Sequence, residues 1–144
     1  VDGKDVPVKL RVYESLFVPL AKWAMLATGN YRSITQKGFQ SIRDSVHTDL
    51  KKSQKIYEFV NQMVIKLGAD PEDLVPFEKY ANASKGLLKP SSVARAVSIG
   101  AINIERVDKL IKLSSEALGL FSEELEEIVQ IVDGKLTENY KRAN

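Results

Sequence analysis

The feature that most constrains this chain is an apolar stripe of helical period. Phe39, Ile42, Val46, Leu50, Ile56, Val60, Met63, Val64 and Leu67 keep one helix face apolar over about eight turns at 3.6 residues each. Gly68 follows at once, where a glycine ends a helix in left-handed backbone. The spacing predicts one long helix over about 39 to 67. Such a helix spans ~43 Å at 1.5 Å per residue. A domain of this size has a radius of gyration of only about 14 to 15 Å, so part of the stripe is expected to seat a second copy or a partner helix.

The rest of the chain repeats the same period with no sustained alternation of the strand kind. Tyr13, Leu16, Phe17, Leu20, Trp23, Ala24 and Ala27 form a first stripe, opened near Pro7, kinked at Pro19 and ending near Gly29. Asp70-Pro71-Glu72-Asp73 reads as an N-cap, a first-turn proline and acids at the positive helix end, with Pro76 limiting a helix that runs to about Asn82. Residues 83–90 read as a loop. Pro90 and Ser91 open a fourth helix that Gly100 interrupts and Asn103 caps anew, through Val107, Leu110 and Ile111 to Gly119. Ser122 caps a last helix with acids in its first turns and Lys141 and Arg142 at its end, matching the macrodipole. The expectation is an all-α bundle of about five to six helices around one long central helix, residues 1–144 forming a single helical domain.

Composition removes most chemistry. The chain has no cysteine, which excludes disulfides, thiolate catalysis and cysteine-held zinc. One histidine, His47, excludes two-histidine zinc motifs. Twenty-one basic against nineteen acidic residues give a net charge of +2, too little to announce a nucleic-acid or membrane partner. The longest mostly apolar stretch, Leu16 to Ala27, contains Lys22 and falls short of the ~20 residues of a membrane span. With no signal-peptide pattern at the N-terminus, a cytoplasmic location is expected. The chain opens on Val1 rather than methionine, as expected of a domain belonging to a larger chain.

Four clusters carry a chemical reading beside a structural one. His47 has Asp44 three residues before it, the spacing of an oriented general base; a half-exposed surface histidine is preferred, because spacing places no nucleophile beside it. Glu123, Glu124, Glu126 and Glu127 read as dipole complements rather than cation ligands, and no metal site is expected. Lys51, Lys52 and Lys55 read as a solvated helix face rather than a phosphate site, and Trp23 as a core anchor. Ser91 to Val107 has the Ala96–Gly100 separation of a DNA-binding helix-turn-helix. Arg106 then stands where that motif needs an apolar residue, and nucleic acid is not expected as a partner.

That segment resembles the C-terminal domain of ketopantoate reductases. The resemblance rests on Lys89-Pro90-Ser91-Ser92 opening a helix, on Gly100, on Glu105 and on a helix ending at Gly119, together with the order of the elements. It implies a helical substrate-binding and dimerisation domain of an NADP-dependent oxidoreductase. Ser91, Ser92 and Glu105 would then bind a small 2-keto acid in a cleft joining the start of the fourth helix to its bend, with Lys89 or Arg95 meeting the carboxylate. The family's first helix usually reads W-x-K-L-x-x-N. The matched stretch here, Tyr13 to Pro19, has Ser15 at the lysine, which is the family's general acid, and Pro19 at the asparagine. Ala96 stands at an aspartate usual after the serine pair. There is no glycine-rich phosphate loop, so no cofactor is expected in this chain, and NADP would require a separate nucleotide-binding domain. The alternative reading is a non-enzymatic helical interaction or assembly module, motivated by the overlong second helix and the incomplete catalytic set.

Overall fold

The computed structural model describes residues 18–144, so Pro7, Tyr13, Ser15, Leu16 and Phe17 of the first stripe lie outside the described residues. Among the described residues there is no β-strand, and the fold is all-α. The α-helices are α1 (Trp23–Met25), α2 (Ile42–His47), α3 (Leu50–Lys66), α4 (Phe77–Ser84), α5 (Ser92–Ser98), α6 (Val107–Ala117) and α7 (Glu123–Ala143).

The long helix expected over 39 to 67 is two helices. Ser41, in extended backbone, starts α2 by accepting from the Asp44 N–H, so Phe39 lies before the helix. The chain then breaks at Thr48 and Asp49. The Asp49 carboxylate accepts from the Lys52 N–H at 3.0 Å and caps α3, as a short acidic side chain does when it competes with helical backbone for hydrogen bonds. The break is closed from below by Ser53, whose hydroxyl donates to the Val46 carbonyl at 2.7 Å, one of the acceptors that the end of α2 leaves without a helical partner. Arg32 in turn donates to the Ser53 hydroxyl at 2.7 Å.

The first stripe also departs from a simple kinked helix. Pro19 lies in a 3-10 stretch, Val18–Lys22; α1 follows, then a π-helical turn, Leu26–Asn30, and a further 3-10 turn, Tyr31–Ser33. Gly29 does not end a helix. It sits inside this run with its Cα against α4, where a Cβ would lie 2.0 Å from the Tyr80 hydroxyl oxygen. Side chains claim the carbonyls around the widened turn: Arg32 donates to Thr28 O, Ser33 to Gly29 O and Ser91 to Asn30 O. A π turn held this way is a packed feature, and such turns often mark functional regions.

Between α3 and α4, Asp70 caps Pro71–Asp73 as its sequence suggests, but this is one 3-10 turn; Pro76 then begins α4 rather than ending it. The fourth helix divides more widely than expected. After α5, Gly100 takes φ +104° and residues 99–106 form an irregular connection, so Asn103 caps nothing and α6 starts at Val107. A helix-turn-helix uses a turn of three or four residues, and this connection is longer. Gly68 and Gly119 close α3 and α6 in left-handed backbone, as read from the sequence. Ser122 caps α7 through the Leu125 N–H.

The core runs through all these elements. Ile56, Tyr57, Val60, Met63 and Val64 of α3 are buried with Ala24 and Ala27, Val46, Phe77 and Tyr80, Ala94 and Val97, Ile111, and Leu125, Ile128 and Val132. Tyr57 meets Phe77 edge-on at 5.4 Å and stacks on Tyr80 at 5.5 Å between centroids. The apolar stripe of α2 and α3 is therefore used mostly inside the chain. Phe39 and Leu50 are its exposed large residues, and Leu67 is half-buried.

Candidate functional site

The loop from Gly86 to Ser91 is held on the start of α2. The Lys89 and Leu87 carbonyls accept from the Ile42 and Arg43 N–H groups at 3.1 and 3.0 Å, donors that no turn of α2 could satisfy. Beside this contact lies a cleft of about 490 Å³ lined by Asn30, Ile42, residues 86–92 and Arg95. It brings together four of the residues that sequence pattern singled out, Ser91, Ser92, Lys89 and Arg95.

Their roles differ. Ser91 is buried and saturated: its hydroxyl donates to Asn30 O at 2.6 Å and accepts from the Ala94 N–H, and its own N–H donates to the Ser33 hydroxyl. It is the N-cap of α5 and the tie between α5 and the π turn. Ser92, Lys89 and Arg95 are exposed. Among the described residues neither cation has a carboxylate within 4.0 Å, so the cleft carries two uncompensated positive charges next to a free hydroxyl.

Glu105 is not part of this lining. Glu105 lies in the eight-residue connection between α5 and α6. Its backbone carbonyl accepts a hydrogen bond from the buried Tyr31 hydroxyl, which in turn accepts from the Val107 N–H at 3.0 Å. The segment around Glu105 is thus pinned through main chain, with its side chain exposed.

His47 is a structural contact. Its Nε2 lies 2.8 Å from the Ala81 carbonyl oxygen and 3.0 Å from the Ser84 hydroxyl. A carbonyl only accepts, so Nε2 carries the proton and joins α2 to α4. Asp44 does not orient it; that carboxylate faces Arg43 at 3.5 Å. The two charge clusters that sequence analysis treated separately meet each other: Lys52 pairs with Glu127 at 3.3 Å and Lys55 with Glu124 at 3.1 Å, linking α3 to α7. Burial works against the Glu124 carboxylate, but the hydrogen bond from Lys55 holds its pKa below the usual range. Trp23 packs half-buried against the core.

Sequence reasoning missed the ion network between the start of α6 and α7. Asp108 is fully buried and takes two parallel hydrogen bonds at 3.0 Å from Arg106, whose third nitrogen donates to Asp133 at 2.6 Å. Lys109 adds a weaker contact to Asp133 at 3.5 Å. The two-residue spacing of Arg106 and Asp108 was visible, but not that the connection before α6 turns both inward.

Among the described residues no three His, Asp or Glu side chains gather as a metal would require, and no helix is long and apolar enough to cross a membrane. Comparison with protein-family models, curated proteins and solved structures found no match to this chain.

Proposed function

We propose that this chain is the helical substrate-side and dimer-forming domain of a cytoplasmic NADP-dependent oxidoreductase similar to ketopantoate reductase. In this reading a small 2-keto acid lies in the cleft at the start of α5. One observation carries it: Lys89 and Arg95, both without a carboxylate partner among the described residues, line a 490 Å³ cleft with Asn30 and the free Ser92 hydroxyl. A guanidinium presents a planar fork that matches a carboxylate, and an ammonium adds a point charge beside it. Ser92 and the Asn30 amide are the groups left to meet the keto oxygen. Ile42, Leu87 and Leu88 supply apolar wall for the carbon chain.

The described residues hold neither a βαβ unit nor a glycine-rich turn, so they do not themselves fit a nicotinamide dinucleotide. That group belongs to a separate domain in this reading, and this chain binds and orients the acid. Ser91 and Glu105 move from ligand roles to framework ones, the first as a cap and the second through its main chain. Self-association along residues 39–67 would use the apolar surface left at Phe39 and Leu50.

Titration of the chain with pyruvate by calorimetry tests the reading. Saturable binding that weakens about tenfold in Arg95→Gln, the scale of losing one charge-assisted pair, and is unchanged in Glu105→Ala is the expected result. Equal pyruvate affinity in the native chain and in Arg95→Gln would overturn it.

A second reading, a helical interaction module, is favoured by Leu110 and Leu113 on α6 and Phe121 just beyond it, which are 49%, 56% and 64% exposed. Sedimentation separates the two. A multimer that Leu113→Lys dissociates while pyruvate binding is absent selects the module.

A further inference from the structure

A second cleft, sharing no residue with the first, lies between the turn after Ser33 and the outer face of α3 and α7. Its volume is about 510 Å³. Arg32 lines it, and this guanidinium is unusually placed. It is half-buried, and among the described residues it has no carboxylate within 4.0 Å. Its hydrogen bonds, to Thr28 O at 3.3 Å and the Ser53 hydroxyl at 2.7 Å, both leave from one terminal nitrogen, Nη1. Nε and Nη2 have no partner among the described residues, although a guanidinium offers five donors in a fixed fork. Burial pushes its pKa down, against the more distant Asp49 and Glu127.

The remaining charges of the cleft are spoken for. Glu127 pairs with Lys52 and Glu124 with Lys55, so Arg32 and the exposed Lys37 are left in excess. Open donors on a half-buried guanidinium that faces a cleft can take a carboxylate as a bidentate partner. Ile34, Ile128 and Ile131 also line the cleft, the first two buried and Ile131 half-buried. Glu124 and Glu127 line the same cleft and oppose a doubly charged anion such as phosphate. What fits is one negative charge with planar geometry on an apolar body.

We propose that this cleft is a binding site for a small organic monocarboxylate, its carboxylate paired with the open side of Arg32 and its carbon skeleton against Ile34, Ile128 and Ile131. Lys37 at the rim adds attraction without a fixed contact. The site is independent of the α5 cleft and of the function proposed for it.

The test is an NMR titration of the whole chain that follows the Arg32 Nε–H resonance, with benzoate, benzamide and inorganic phosphate as probes. Benzoate is expected to shift that resonance saturably in the millimolar range. Benzamide, of equal shape and no charge, should bind at least about tenfold more weakly, as expected for loss of a charge-assisted fork. Lys37→Gln, which touches no framework contact, should weaken benzoate by a few fold, and Arg95→Gln should leave it unchanged. Arg32→Lys keeps the charge without the fork; followed through the backbone amide shifts of Thr35 and Gln36, with circular dichroism checking that its helices are retained, it should lose most of the benzoate binding. Three results overturn the proposal: no benzoate-dependent shift of the Arg32 Nε–H, equal binding of benzamide and benzoate, or phosphate binding more tightly than benzoate.

Discussion

Arg106 holds two carboxylates at once, and for one of them, Asp133, the response to acid has a direction that can be worked out. Burial raises the Asp133 pKa, but the hydrogen bond and charge of Arg106 outweigh it and hold the carboxylate below its ordinary value. A group depressed on folding stabilises the fold above its unfolded pKa, about 3.9 for aspartate, and that contribution is lost as pH falls through the folded value. Asp133→Asn should therefore show a smaller fall of Tm below about pH 4 than the native chain, read by calorimetry across a pH series. The two serines before α5 separate by the same kind of argument. Ser91→Ala removes a cap and leaves the Asn30 carbonyl without its donor, a loss of about 1 to 2 kcal/mol in denaturant titration. Ser92→Ala, at an exposed position, should stay within about 0.5 kcal/mol. Thr28 offers the opposite sign: its hydroxyl is fully buried with no hydrogen-bond partner among the described residues. Thr28→Val keeps the shape and removes that group, so the midpoint in urea should rise, by up to about 1 kcal/mol.

At the scale of elements, what matters is where helices stop. Asp49 distinguishes the two descriptions of residues 39–67. In one unbroken helix an exposed aspartate is a poor helix former, and alanine would stabilise by about 0.5 kcal/mol. As the cap of α3 it satisfies an orphan donor, so Asp49→Ala should destabilise by about 1 kcal/mol in equilibrium unfolding. The ends that were legible in the sequence share one property, that the stopping device is local. Ser122 and Asp70 reach N–H groups two or three residues on, and Gly68 and Gly119 supply the left-handed residue the backbone itself requires. The ends that were not legible have distant partners as well, even where a local cap such as Asp49 is present. The α2–α3 break is supported by Ser53 and by Arg32 from another element. The connection before α6 is pinned by Tyr31, more than seventy residues away in the chain.

For the whole molecule, one buried cluster extends from Ala24 to Val132 and includes residues of every α-helix. Unfolding followed by Trp23 fluorescence, which reports the first stripe, and by far-ultraviolet circular dichroism, which reports all helices, should give coincident transitions. Separate midpoints would divide the chain into two folding units. The cleft beside the loop on α2 and the cleft beside Arg32 share no residue, and Lys89, Ser91, Ser92 and Arg95 line the first. Lys89, Ser91, Ser92 and Arg95 were legible because they are neighbours in sequence, whereas Arg32 carried no motif. Its meaning comes from Ser53, Thr28 and the face of α7, which are brought to it by packing. The sequence by itself determined the all-α class, the caps at Asp70, Ser91 and Ser122 and most of the apolar faces, because helical period and capping act over one or two turns. The tertiary structure decided that the long stripe is two helices, that the Glu105 main chain is tied to Tyr31, and that Lys52 and Lys55 pair with Glu127 and Glu124. Those outcomes depend on which buried carbonyls and charges find partners, and the partners come from other elements.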